Sequence, residues 1–236
     1  MQLLTRIGFC VLALVVAAGC ASTKVSDEHR LVTGKIPRPH HIWVYDFAAT
    51  PAEVPAESAL AGQHDEHATP QTAEQIATGR KVGEAIATQL VEQILDMGML
   101  AKRASAGTEP EINDIVIRGY LISVDEGDAT KRVAIGFGSG ASHLTTAVEG
   151  FQVTAQGLRK LGSGTVGAGG GKTPGAALGV VGLIATANPA GLIVGTGAKA
   201  YGEYSGSSKI EGRAKATAKE IADALKKRFQ EQGWIE

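Results

Sequence analysis

Residues 112–125 read INDIVIRGYLISVD, and this stretch decides the fold class. Its β-branched and aromatic residues are typical of a buried strand, and the polar turn at 126–128 follows them directly. The pattern is interrupted at Gly119, which has no side chain to pack. A strand of this length needs partners in a sheet, so we expect neighbouring segments to supply further strands.

Four other segments have the composition of strands. The run from His40 to Phe47 predicts the first strand, and Met99 to Ala101 predicts a short extended piece. Residues 144–154 and 158–166 predict a hairpin that turns at Gly157.

Two segments have helical periodicity. In the first, at about 74–98, apolar or small residues recur every three or four positions, at Ile76, Gly79, Val82, Ile86, Leu90 and Ile94. Thr72 supplies capping chemistry and Gly98 a stop. The second, at about 207–231, ends at Gly233, after which Trp234 can fold back onto the core. We therefore predict an α+β fold, with a mixed or antiparallel sheet of about four or five strands covered by two long helices.

The first twenty residues have the pattern of a secretory signal. Arg6 precedes an apolar run from Ile7 to Ala18, which is too short to span a bilayer core. The run from Val15 to Cys20 resembles the bacterial lipobox, in which the cysteine takes a diacylglycerol before cleavage. A plain signal peptide with an incidental cysteine is the alternative.

The cysteine content agrees with this interpretation. The chain has two cysteines, and Cys10 would leave with the signal, so that Cys20 would remain only as a lipid attachment site. Multiple acyl chains give durable membrane anchoring. Because Ala21 is not the aspartate that retains lipoproteins in the inner membrane of enterobacteria, we expect an outer-membrane lipoprotein that faces the periplasm.

These boundaries divide the 236 residues into three parts: a signal peptide at 1–19, a polar tether at 20–39, and a single α+β domain at 40–236. The formal net charge is −1, and no clustered basic surface of the kind that binds nucleic acid is evident. With 5% aromatic residues and 31 glycines, the core must be built from aliphatic side chains packed against small ones.

The domain carries a glycine-rich apolar insertion at about 173–198, in which 26 consecutive residues bear no charge. Asn188-Pro189 interrupts it, and the spacings of Gly175 with Gly179 and of Gly191 with Gly195 suit close helix packing. We predict a glycine-rich helical hairpin that packs on the domain or on another copy. Insertion of this hairpin into a membrane is the alternative.

Several motifs have only part of the pattern of a functional site. His64 and His67 have metal-ligand spacing, but no third ligand is evident and a solvated loop explains them more simply. Ser139 and Ser142 lie near His143 without a carboxylate to orient the base. The run ending at Lys172 lacks the first glycine of a phosphate-binding loop. We therefore expect no catalytic, cofactor-binding or metal site, and Cys20 is the only functional residue assigned.

Several of these pieces together resemble the bacterial family catalogued as domain of unknown function 4410. The matching segments are 42–47, 119–128, 132–142 and the ending Gln232-Gly233-Trp234-Ile235. The resemblance implies a family and an envelope location but no activity. From the anchor and the glycine-rich packing surface we expect a non-enzymatic scaffold or assembly accessory, whose partners are the membrane and either itself or an envelope protein. A periplasmic binding module for a small ligand or metal ion is the alternative.

Overall fold

The computed structural model describes residues 23–61, 71–125, 143–169 and 207–236. These residues form six strands, one 3₁₀ turn at Pro51–Glu53 and two long helices. The strands are β1 (Thr23–Arg30), β2 (Ile42–Tyr45), β3 (Ala101–Ala104), β4 (Ile115–Asp125), β5 (His143–Thr154) and β6 (Gly157–Gly169). The helices are α1 (Ala73–Asp96) and α2 (Ser207–Gln232).

The six strands form one mixed sheet in the order β1-β6-β5-β4-β2-β3. The pairs β1–β6, β6–β5 and β5–β4 are antiparallel, whereas β2 is parallel to both β4 and β3. Strand β4, which contains most of the stretch 112–125, lies inside the sheet and pairs on both edges. The predicted α+β class with a mixed sheet and two long helices is therefore confirmed.

The sheet has six strands, so the prediction of four or five was wrong. The additional strand, β1, lies inside the segment 20–39 that composition indicated as a tether. Its sequence TKVSDEHR is almost entirely polar, and it pairs with β6 along one edge only. A polar edge strand of this kind has no hydrophobic alternation by which to recognise it.

The predicted helical hairpin at 173–198 lies outside the described residues.

Both helices pack side by side on one face of the sheet and cover the main core. Helix α1 begins at a capping box, in which the Thr72 hydroxyl accepts from the Gln75 amide and the Gln75 side chain accepts from the Thr72 amide. Its buried face includes Val82, Ile86 and Leu90, as its periodicity predicts.

The chain ends by folding back on this core. Gly233 adopts a left-handed φ of 75°, and the Trp234 amide donates to the Phe229 carbonyl, which closes α2. The Trp234 ring then packs against Phe229 with ring centroids 5.4 Å apart, and its indole N–H donates to the Ile36 carbonyl at 3.2 Å. The predicted return of Trp234 to the core is confirmed.

Phe47 occupies a socket where β2 leaves the sheet. Its ring lies against Gly119 of β4, and its backbone lies against Gly83 of α1, so that only 2% of the residue is exposed. A Cβ placed on either glycine would come within 2.2 Å of Phe47. Helix α1 can therefore approach the Phe47 backbone this closely only because Gly83 lacks a side chain, and the Phe47 ring fits against β4 only because Gly119 lacks one.

The opposite face of the sheet is partly covered by residues 48–61, which follow β2 and are here called the covering segment. Leu60 and Ala48 of that segment pack with Tyr120, Ile122 and Ala147 in a smaller, separate core.

Within the described ranges, neither helix is long and apolar enough to cross a membrane.

Candidate functional site

Most residues that the sequence singled out lie beyond the part of the chain that the structure describes. These are Cys20, the His64–His67 pair, Ser139, Ser142 and the segment 172–198. His143 is the first residue of β5 and pairs in register with Asp125 and Gly169. Across 23–61, 71–125, 143–169 and 207–236, no group of three or more His, Cys, Asp or Glu residues could hold a metal ion.

Asp114 is a buried carboxylate at the start of β4, with 1% of the residue exposed. It accepts hydrogen bonds from the His41 amide at 2.9 Å, the Trp43 indole at 2.8 Å and the Glu111 amide at 3.0 Å. These donors come from β2, its entry and the preceding turn, so the carboxylate fixes the register in which β2 joins β4. Its acceptor oxygens are therefore occupied by structural bonds.

Glu149 is a second buried carboxylate, in the middle of β5 on the face opposite the helices. It forms an ion pair with Lys160 of β6 and accepts from the Tyr120 hydroxyl at 3.0 Å. It also accepts from the Ala59 amide at 3.2 Å. One carboxylate thus joins three strands to the covering segment.

Arg118 adds a second link between the sheet and the covering segment. Its guanidinium forms a 2.8 Å salt bridge with Glu57 and stacks at 4.6 Å over the Tyr45 ring. Only 19% of the Arg118 side chain is exposed, so solvent screens this salt bridge less than it screens an ion pair on the surface. Together, Arg118 and Glu149 hold the covering segment against the smaller core.

Burial raises the pKa of the Tyr120 hydroxyl, and the neighbouring Glu149 charge raises it further. The fold therefore favours the neutral phenol, and this contribution to stability is present below the unfolded pKa of about 10. It is lost as the pH rises above that value towards the folded pKa. In an ultraviolet titration, we expect the Tyr120 phenol to ionise late, above its ordinary pKa and together with alkaline unfolding.

The Tyr120→Phe variant should lack this late component of the titration, whereas Tyr45→Phe should retain it. A late component that persists in Tyr120→Phe would contradict the assignment.

An apolar cavity of about 160 Å³ lies between α2 and the sheet. From the sheet it is lined by Val25, Ile117, Val148 and Val166, which lie on four adjacent strands. From the helix it is lined by Ile221, Leu225 and Phe229, and Trp234 contributes beyond the helix end. The charged lining residues Glu28 and Arg30 are 44% and 42% exposed, so they lie at the rim.

Glycines form part of the sheet surface in this cavity. Gly150 of β5 pairs with Gly162 of β6, and Gly164 follows two positions later on the same strand. A Cβ added to Gly150 would meet no atom within 4 Å. The helix therefore stands off the sheet above Gly150, and open space remains there, whereas a Cβ on Gly162 would lie 2.6 Å from the His29 carbonyl oxygen.

Residues 30–36, here called the strap, border the cavity and are joined to α2 by polar contacts. Arg30 reaches across from β1 to Glu231 of α2 at 3.2 Å, and Glu231 also pairs with Arg228 at 2.7 Å. Arg228 donates to the Val32 carbonyl, and the Gln232 side chain bonds the backbone of residues 34 and 36. The strap thus fastens the end of β1 to the end of α2 beside the cavity.

Sequence reasoning missed the cavity. It also missed the Glu149 cluster, which Glu149 forms with Tyr120, Lys160 and the Ala59 amide. A local signal for the cavity was Gly150, a glycine inside the strand predicted at 144–154. For Glu149, nothing local in the sequence of β5 identified the segment that covers it.

These features define the class: an α+β protein with a six-stranded mixed sheet, two helices on one face and an apolar cavity under the second helix. The chain belongs to the family described as "Domain of unknown function (DUF4410)", whose model matches residues 42–187. This confirms the resemblance found in the sequence.

Among solved structures, the chain is similar to a PelC dodecamer from Paraburkholderia phytofirmans. The identity is 14%, over 71% of this chain and 97% of that one, with a TM-score of 0.34. A variant dodecamer of PelC from the same organism matches with 13% identity over 74% and 98% of the two chains and a TM-score of 0.33. No curated protein matches the chain.

Proposed function

We propose that this protein is a lipoprotein of the bacterial cell envelope, held by lipid on Cys20 at the periplasmic face of the outer membrane. Its folded domain acts without catalysis as a scaffold or assembly accessory. The anchor is supported by the apolar run that ends in small residues and Cys20. The non-catalytic role is supported by how the buried carboxylates are used.

That use of the carboxylates is the observation that carries the proposal. Asp114 and Glu149 each accept three hydrogen bonds or ion pairs that join separate segments of the fold. A general acid or base needs a free position within hydrogen-bond reach of a substrate. The two groups instead fix the framework on which binding surfaces are presented.

The lipid anchor predicts a specific labelling result. When cells that express the full chain are fed a palmitate analogue, we expect label on the wild type and none on Cys20→Ala. The Cys20→Ala variant should also lose its membrane attachment after salt washing. Cys10→Ala is the matched control, because it removes the only other cysteine, and it should stay labelled. Label retained by Cys20→Ala would overturn the anchor.

The scaffold role is tested by crosslinking in cells, followed by affinity capture of the full chain and identification of the attached proteins. We expect either a defined envelope protein or a second copy of this chain. Capture from cells that express Cys20→Ala controls for contacts that form without the anchor. If wild-type capture yields neither an envelope partner nor a second copy, the scaffold role is wrong.

The cavity favours a second candidate function, a binding module for a small envelope ligand. An opening lined by aliphatic and aromatic side chains, with polar groups at its rim, is the usual form of a small-molecule site. This function is compatible with the proposed anchor, which would hold the domain at a lipid surface.

A further inference from the structure

We infer that the cavity between α2 and the sheet binds one unbranched aliphatic chain of a single-chain amphiphile, such as a fatty acid. The inference rests on the second candidate function, the binding module, and names its ligand class.

The lining argues for an apolar occupant. A buried water needs two to four polar partners, and the inner wall offers the side chains of Val148, Val166, Ile221, Leu225 and Phe229. An apolar cavity of about 150 Å³ in another protein stays dry and takes up apolar molecules. The cavity here has about that size, at about 160 Å³.

The shape argues for a chain. The lining residues Val25, Val166, Val148 and Ile117 lie on four neighbouring strands, and three strand spacings amount to about 14 Å. The open space above Gly150 lies within this length. A space that extends across four strands beneath a helix fits a flexible linear chain better than a compact ring.

The rim argues against dependence on the charge of the head group. Arg30 and Arg228 are matched by Glu28 and Glu231, with which they already pair. Affinity should therefore follow the length of the aliphatic chain, with a gain of about fourfold for each added methylene until the cavity is full. Dodecanoate and dodecanol should compete about equally.

The test uses the full chain in lipid nanodiscs and a fatty acid that carries a diazirine on its alkyl chain. After irradiation, we expect crosslinks on peptides that contain Val148 and Leu225, and dodecanol should suppress them. Gly150→Leu, which fills the cavity, should abolish the crosslinks. Gly167→Leu is the matched control: Gly167 also has free space around its Cβ but does not line the cavity, so crosslinking should persist.

Ala224→Leu fills the cavity from the helix side and should also abolish crosslinking, which guards against misfolding of a single variant. Thermal unfolding of each variant reports whether its fold is intact. Crosslinks that survive in a folded Gly150→Leu or Ala224→Leu would overturn the site.

Failure of this inference can be told from failure of the proposed functions. If toluene suppresses binding of a small aromatic probe while alkyl chains do not compete, the binding module stands and the aliphatic ligand class is wrong. Because the probe is added from solution, Cys20→Ala should crosslink like the wild type. Crosslinking that appears in Cys20→Ala but not in the wild type would assign the cavity to the chain's own anchor and overturn the inference.

Discussion

Replacing Gly83 by alanine should destabilise the protein by about 3 kcal/mol, because the added methyl group has no space. Its Cβ would lie 2.2 Å from the Phe47 carbonyl oxygen, a backbone atom fixed by the neighbouring sheet. The Gly83 carbonyl also accepts the Phe47 amide at 3.4 Å, so the two segments cannot separate without losing that contact. Urea unfolding followed by circular dichroism measures the change.

Gly212→Ala in α2 is the matched control for this substitution. Gly212 is exposed and a Cβ there would meet no atom within 4 Å, so only helix propensity changes. Alanine should then stabilise the helix by up to about 1 kcal/mol. Opposite signs for the two variants establish the close approach at Gly83, whereas stabilisation by both would show that α1 does not contact Phe47 as described.

The contrast between these two glycines shows where sequence reasoning succeeds. The three-and-four spacing of Val82, Ile86 and Leu90 predicted α1 and its buried face, because hydrophobic periodicity is a local property. The same pattern included Gly79 but gave no reason to notice Gly83. The role of Gly83 depends on Phe47, which lies 36 positions away in sequence, and no local pattern reports that contact.

The same limit applies to the site. Strands β2 to β6 have local composition or turn signals, so they were predicted, whereas polar β1 was not. The cavity depends on β1 lying beside β6 and on α2 standing off Gly150, and both are tertiary facts. A glycine in a strand is equally compatible with close packing and with open space, so the sequence cannot decide between them.

The Glu149 cluster leads to the other large effect. Replacing Glu149 by leucine should destabilise the protein by about 3 kcal/mol, since it leaves the Lys160 ammonium without its partner. The Lys160 side chain is 20% exposed, so water compensates only in part. The Tyr120 hydroxyl and the Ala59 amide lose an acceptor at the same time. Glu109→Leu makes the same change at an exposed position and should shift stability by less than about 0.5 kcal/mol.

Adding Lys160→Met to Glu149→Leu separates the unpaired charge from the lost hydrogen bonds. The double variant has no unpartnered ammonium, so we expect it to recover at least about 1 kcal/mol relative to Glu149→Leu alone. Urea unfolding of the wild type, both single variants and the double variant completes the cycle. If the two single effects simply add, Lys160 and Glu149 do not act as a pair. The covering segment would then be held mainly by the Arg118–Glu57 salt bridge and the smaller core.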